Sequence, residues 1–141
     1  MEVRLARSDD EVEAALALRH RVFCGEQGVA VAADRDGRDF EATHVVALDD
    51  GRVLGTCRLL FRGRIARLGR LAVEPGARRR GIGAGILAEA ARASREAGAE
   101  RIELHAQTYA MELYEREGYS SYGEEFIEEG IAHVAMRKRL A

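Results

Sequence analysis

Leu68-Gly69-Arg70-Leu71-Ala72-Val73 is an apolar run, and the chain's only proline, Pro75, follows shortly after it. Next comes Gly76-Ala77-Arg78-Arg79-Arg80-Gly81-Ile82-Gly83, basic and punctuated by glycine, and an alanine-rich helix pattern begins at once. A strand feeding a glycine turn and then a helix aims backbone N–H groups at one point, where the helix dipole adds positive potential. Arg78, Arg79 and Arg80 add full charges. The stretch reads as a site for a phosphate-bearing ligand. It lacks the Gly-Lys-Ser/Thr ending of a nucleotide P-loop, which argues against ATP or GTP, and the third glycine of a dinucleotide fingerprint. A tight turn with solvated arginines is the plainer alternative.

The flanking pattern is that of a sheet protein. Ile65–Val73 is apolar on both faces, with Ile65, Leu71 and Val73 on one and Ala66, Leu68 and Ala72 on the other, as in a central strand. Gly69 inside it hints at a bulge or a close backbone approach by a ligand. Upstream, Thr43–Leu48 and Val53–Phe61 flank Asp49-Asp50-Gly51, a hairpin signal. Further back, Glu2–Ala6 reads as a first strand. Ser8-Asp9-Asp10-Glu11 has the form of a capping box for a helix running to about Phe23, with Gly25 and Gly28 breaking the pattern. Ala33–Ala42 is acidic, with Asp34, Asp36, Asp39 and Glu41, and reads as a solvated loop. Downstream, Ile82, Ile86, Ala90, Ala93 and Ala97 mark a helix stripe ending at Gly98. Arg101–Gln107 is the next strand, parallel to the earlier one because a helix lies between them. Tyr109–Glu117 reads as a short helix in which Ala110 and Leu113 face the sheet. Tyr119–Ile127 and Ile131–Lys138 form a closing hairpin. The class is α/β: a twisted mixed sheet with helices on both faces.

At 141 residues, with 47% hydrophobic content, the chain reads as one domain, residues 1–141, with a real core. Its formal net charge of −2 argues against a nucleic-acid binder. The basic residues from Arg62 to Arg80 instead suit a small anionic ligand. No apolar run is long enough for a membrane, and the start has no signal-peptide core, so a cytoplasmic protein is expected. Cys24 and Cys57 lack metal-ligand spacing and read as small buried residues; no histidine has metal spacing either, and no metal is expected.

A second motif is Gln107-x-x-Ala110-x-x-Leu113-Tyr114-Glu115-x-x-Gly118-Tyr119, at a strand end leading into a helix. With Val73-x-Pro75-x-x-Arg78-x-x-Gly81-Ile82-Gly83 it resembles the GNAT superfamily of acyl-CoA-dependent N-acetyltransferases. The strand order fits as well, over nearly the whole chain. More narrowly, Arg21–Val29, the acidic loop ending in His44, Leu104–Gln107 and Gly130–His133 look like the bacterial ElaA/YjcF-type subgroup. The resemblance implies acetyl-CoA as co-substrate and a sheet splayed between strands 4 and 5. It implies that the amides of Arg79, Arg80, Gly81, Ile82, Gly83 and Ala84 hold the CoA pyrophosphate, with Arg78 as a charge partner. Leu71, Ala72 and Val73 would pair with the pantetheine arm, Gln107 would contact it, and Tyr114 would sit near the sulfur.

The chemistry sets its own requirements. A neutral amine attacks the thioester carbonyl, and the oxyanion needs a donor worth about 3 kcal/mol, which a strand amide freed near Leu71 can supply. The departing thiolate needs a proton, which tyrosine can give. A base must take the amine proton; candidates are Glu26, Glu41, His44, His105 and Glu74, with His44 and His105 ahead because each sits at or in a central strand and histidine is the residue type suited to proton transfer near neutrality. His133 reads as structural or cleft-lining. The expected activity is acetyl transfer from acetyl-CoA to a primary amine of a small molecule in a ternary complex, with a homodimer through the final hairpin as an open option. A non-catalytic acyl-CoA-binding module and an acyl-homoserine-lactone-synthase-like acyltransferase are the alternatives. The second is weakened by the absence of tryptophan.

Overall fold

The computed structural model describes residues 1–140. Seven strands form one mixed sheet in the order β1-β2-β3-β4-β5-β7-β6. They are β1 (Glu2–Leu5), β2 (Thr43–Asp49), β3 (Arg52–Arg62), β4 (Ile65–Val73), β5 (Arg101–Gln107), β6 (Ser120–Glu128) and β7 (Ile131–Arg139). The helices are α1 (Asp9–Arg19), α2 (Val31–Asp34), α3 (Ile82–Glu96) and α4 (Met111–Arg116). Each face of the sheet has its own core. Ile82, Ile86, Leu87 and Ala90 of α3 cover Val45, Leu59, Ala66, Leu68, Ile102 and Leu104. Ala15 and Leu18 of α1, with Val22, cover Val46, Leu48, Val53 and Ala72 on the other side. Gly55 lets α3 lie this close, since a Cβ there would stand 2.7 Å from Ile86 Cδ1 and 2.8 Å from Ile82 Cγ2.

β4 and β5 are the parallel pair, joined by α3. Their register covers only Ile65↔Arg101, Ala66↔Ile102 and Arg67↔Glu103, and beyond it the two strands diverge. The divergence begins just before a bulge in β4. Thr56 of β3 faces Ala72 and Arg58 faces Gly69, so Arg70 and Leu71 together oppose Cys57. The expected bulge at Gly69 therefore lies one residue on. Arg70, at φ +57°, takes the left-handed conformation, which costs a non-glycine residue roughly 1–2 kcal/mol. The extra residue also shifts the side-chain alternation. Leu71 and Val73 join Ala66 and Leu68 on the α3 face, and Ala72 turns to α1, unlike the grouping that strict alternation predicts.

Other expectations change in detail. Ser8 Oγ does accept from the Glu11 N–H at 3.2 Å. The Glu11 carboxylate, however, takes the Arg7 N–H and the Arg4 guanidinium rather than closing the box on Ser8. The first helix does not stop near Phe23. It widens into a π-helical segment, His20–Glu26, that includes Gly25. Ala97 lies past the end of α3 and is exposed. A 3₁₀ turn, Thr108–Ala110, precedes α4, whose buried residue is Tyr114. The acidic stretch is not a solvated loop. Asp34 and Asp39 meet Arg19, whose side chain is 1% exposed, at 3.1 and 2.6 Å. Asp36 holds Arg58 with bonds of 2.8 and 2.5 Å. Arginines from α1 and the sheet draw these carboxylates in, because a buried guanidinium needs its charge matched. Cys57 is buried and Cys24 half-buried, both as free thiols. Among the described residues no helix is long and apolar enough to cross a membrane.

Candidate active site

Where β4 and β5 part, they open a cleft of about 1060 Å³. One end is the turn into α3. Arg79 at φ +66° and Gly81 at φ +78° curl the chain so that α3 starts without any side-chain cap. Uncapped N–H groups in the first helical turn, on the positive end of the dipole, are free to donate to an anion. Arg78, Arg79, Gly81, Ile82, Gly83 and Ala84 all line the cleft there. Arg80 does not. It points away, toward Asp49 at 3.8 Å, and belongs to a separate small depression. Arg78 is not a free charge either. It forms a two-bond pair with Glu26, 2.7 Å each, and donates to the Val73 carbonyl at 3.2 Å. All three arginines are exposed, and Arg79 is the one with no ion pair among the described residues.

The middle of the cleft runs along the free edge of β4, where Leu71, Ala72 and Val73 lie. A Cβ built on Gly69 would meet nothing within 4 Å, so the wall is open beside the bulge. Tyr114 closes the α3 side. It is 7% exposed, and burial pushes its hydroxyl well above the usual tyrosine range.

The opposite wall comes from β5, β6 and β7. His105 and Gln107 of β5 line it. His105 Nδ1 lies 3.1 Å from Glu128 Oε1. His133 Nε2 lies 3.7 Å from Glu128 Oε2, and its Nδ1 lies 2.7 Å from the Ile131 carbonyl oxygen. Phe126 contacts both rings, edge-on to His105 and stacked on His133. A histidine that donates Nδ1–H to a carboxylate presents Nε2 as an acceptor, the arrangement of a general base. Among the described residues no group of His, Cys, Asp and Glu is arranged to hold a metal ion.

The remaining candidates fall elsewhere. His44 is buried on β2, Nε2 at 2.9 Å from the Asp39 carbonyl oxygen, and does not line the cleft. Glu26 is bound to Arg78, which holds its carboxyl below the ordinary value and unsuited to take a proton near neutrality. Glu74 pairs with Arg21 and Glu41 with Arg38. Gln107 lines the cleft, but its carboxamide forms a reciprocal pair with Gln27, with bonds of 2.9 and 3.2 Å. That contact spans the cleft from the end of the π-helical segment to the end of β5. The sequence singles out neither Gln27, within the Arg21–Val29 motif, nor Glu128 as a site residue. Gln27 acts across a separation of 80 residues, and Glu128 sits in a run of surface glutamates.

The family model described as "Acetyltransferase (GNAT) domain" matches residues 8–140. The uncharacterized N-acetyltransferase YjcF of Bacillus subtilis (strain 168) is 30% identical over 98% of this chain and 99% of its own. The solved acyl-CoA N-acyltransferase from Pseudomonas aeruginosa is 27% identical, with a TM-score of 0.87 over 98% of this chain and 99% of that one. Escherichia coli ElaA, 22% identical with a TM-score of 0.87 over the same shares, has the same fold. The splayed strands, the uncapped glycine turn and these matches agree: the chain belongs to the GNAT acetyltransferase family and is an acyl-CoA-dependent N-acyltransferase.

Proposed function

We propose that the enzyme moves an acetyl group from acetyl-CoA to a primary amine of a small molecule, by direct attack while both substrates are bound. The observation that carries this reading is the cleft itself. An anion site at one end and a His105–Glu128 pair on the far wall flank a bulged strand edge. The turn Arg79–Ala84 binds the pyrophosphate, with Arg79 as the cation not held in an ion pair. Leu71, Ala72 and Val73 offer backbone groups to the pantetheine arm as an added strand would. The Leu71 amide, beside the bulge, donates to the carbonyl oxygen as negative charge develops.

His105 takes the proton from the attacking nitrogen through Nε2, and Glu128 holds the resulting imidazolium. The carbon–nitrogen bond forms, the carbon–sulfur bond breaks, and sulfur leaves with the electron pair. Burial alters the expected role of Tyr114. A thiol titrates near 8.5, well below a phenol whose ionisation burial has suppressed. Full proton transfer from Tyr114 to the thiolate is therefore uphill. Tyr114 acts by donating a hydrogen bond to the sulfur while it carries charge. The carboxylates of Asp34, Asp36 and Asp39 are matched by Arg19, Arg58 and Arg70, which leaves them little net charge to offer a cationic acceptor.

A panel of primary amines with acetyl-CoA, read by thiol release, tests the reading. Amine-dependent release is expected. CoA binding without release across the panel overturns it. Tyr114→Phe is expected to lower kcat about tenfold, the value of one charge-assisted hydrogen bond, and native turnover in that variant removes Tyr114 from the mechanism.

A further inference from the structure

Arg70 stands in the bulge of β4 at φ +57°. Glycine adopts left-handed backbone freely, and a residue with a Cβ does not. Gly69, next to it, is not left-handed. The chain thus puts its arginine rather than its glycine at the disfavoured position, which persists only where surrounding contacts over-determine it. Those contacts come from α2. Arg70 Nη2 donates to the Ala33 carbonyl at 2.8 Å and to Asp36 Oδ2 at 3.3 Å, and Nε donates to the Asp34 carbonyl at 3.3 Å. The Asp34 carbonyl also accepts from Arg19 Nη2 at 2.7 Å, and Asp36 is held by Arg58 from β3. The end of α2 is thereby fastened to the bulge, to α1 and to the neighbouring strand. Ala33, Asp34 and Asp36 line the cleft.

We propose that Arg70 is a positioning residue: its guanidinium fastens the α2 segment to the bulge, so that the Leu71 amide and the acceptor side of the cleft share one fixed geometry. This rests on the acyl-transfer reading, in which the bulge receives the thioester carbonyl. A planar guanidinium can hold two carbonyl groups at once through Nε and Nη2, whereas a lysine ammonium on a flexible stem offers no such fork.

Two variants test it. Arg70→Gly keeps the left-handed backbone and deletes the fork. Arg70→Lys keeps the charge without the fork. Steady-state kinetics with acetyl-CoA and the best amine of the panel give kcat and both KM values. Hydrogen exchange is followed in residues 30–39 and 68–73, with 82–96 as the internal reference. In both variants kcat is expected to fall about 100-fold, the effect of roughly 1 Å of misplacement, while KM for acetyl-CoA stays within about twofold. Exchange is expected to rise in both segments together and not in α3. A kcat within about twofold of the native enzyme, an equal loss in acetyl-CoA affinity, or faster exchange in only one segment overturns the proposal. If the native enzyme acylates no amine, the functional reading fails, and the exchange measurement still decides whether Arg70 fastens the two segments.

Discussion

From Leu68 to Ala84 one unbroken stretch carries the bulged strand, the left-handed residues Arg79 and Gly81 and the uncapped start of α3, and what it offers the cleft is mainly backbone. The facing wall works the other way. It is made of side chains, and each is placed by a partner distant in sequence. His105 is set by Glu128, Gln107 by Gln27, and the α2 segment by Arg19, Arg58 and Arg70. Backbone amides survive every substitution except proline, so the turn side suits a ligand part common to every reaction in the family. Side-chain pairs change one at a time, which suits the part that must recognise a particular acceptor.

Variants can break or sharpen this contrast. The largest expected effect is on the hairpin side. His105→Ala should lower kcat about 100-fold or more, the usual contribution of a positioned base, with the acetyl-CoA-induced rise in Tm retained. Loss of that rise would erase the distinction between the two walls. A smaller effect is expected where the two sides touch. Glu26 neutralises Arg78 with two hydrogen bonds at the exposed rim of the turn. Glu26→Gln releases a cation toward the anion site and should tighten CoA binding about threefold at low salt, fading as salt rises. Calorimetry at two ionic strengths checks this, and unchanged affinity would show that Arg78 does not reach the ligand.

The smallest effect separates the walls by acid. The hydrogen bond from Arg58 holds the Asp36 carboxyl below its ordinary value. Burial alone would raise Asp39, but its bonds to Arg19 and Arg58 outweigh that and leave it lowered. A carboxyl lowered on folding adds stability that is complete above its unfolded value near 4 and is lost as pH falls through the folded value. Protection against hydrogen exchange, relative to the intrinsic rate at each pH, should therefore fall in residues 31–39 below about pH 4 before it does in α3. Simultaneous opening would mean that the ion pairs do not hold that segment.

The reading from sequence divides along the same line. Strand order, the parallel β4–β5 pair and the glycine turn are legible because each depends on residues adjacent in the chain: apolar periodicity, Gly81 at a left-handed position, Pro75 and Gly98 at boundaries. The acidic segment is misread as solvated because its matching charges, Arg19, Arg58 and Arg70, lie on three other elements. Strict alternation misassigns Leu71 and Ala72 because a bulge shows only when two strands are counted against each other. His44 and His105 look equivalent as residue types. Their positions separate them, one bonded to a buried carbonyl oxygen, the other facing the cleft beside Glu128. Adjacent residues thus determined the family, the strands and the uncapped glycine turn, because helix, turn and strand signals act over a few positions. Tertiary structure alone decided which cations remain unpaired, which histidine faces the cleft and what holds the α2 segment, because charge pairing and burial depend on distance in space rather than along the chain.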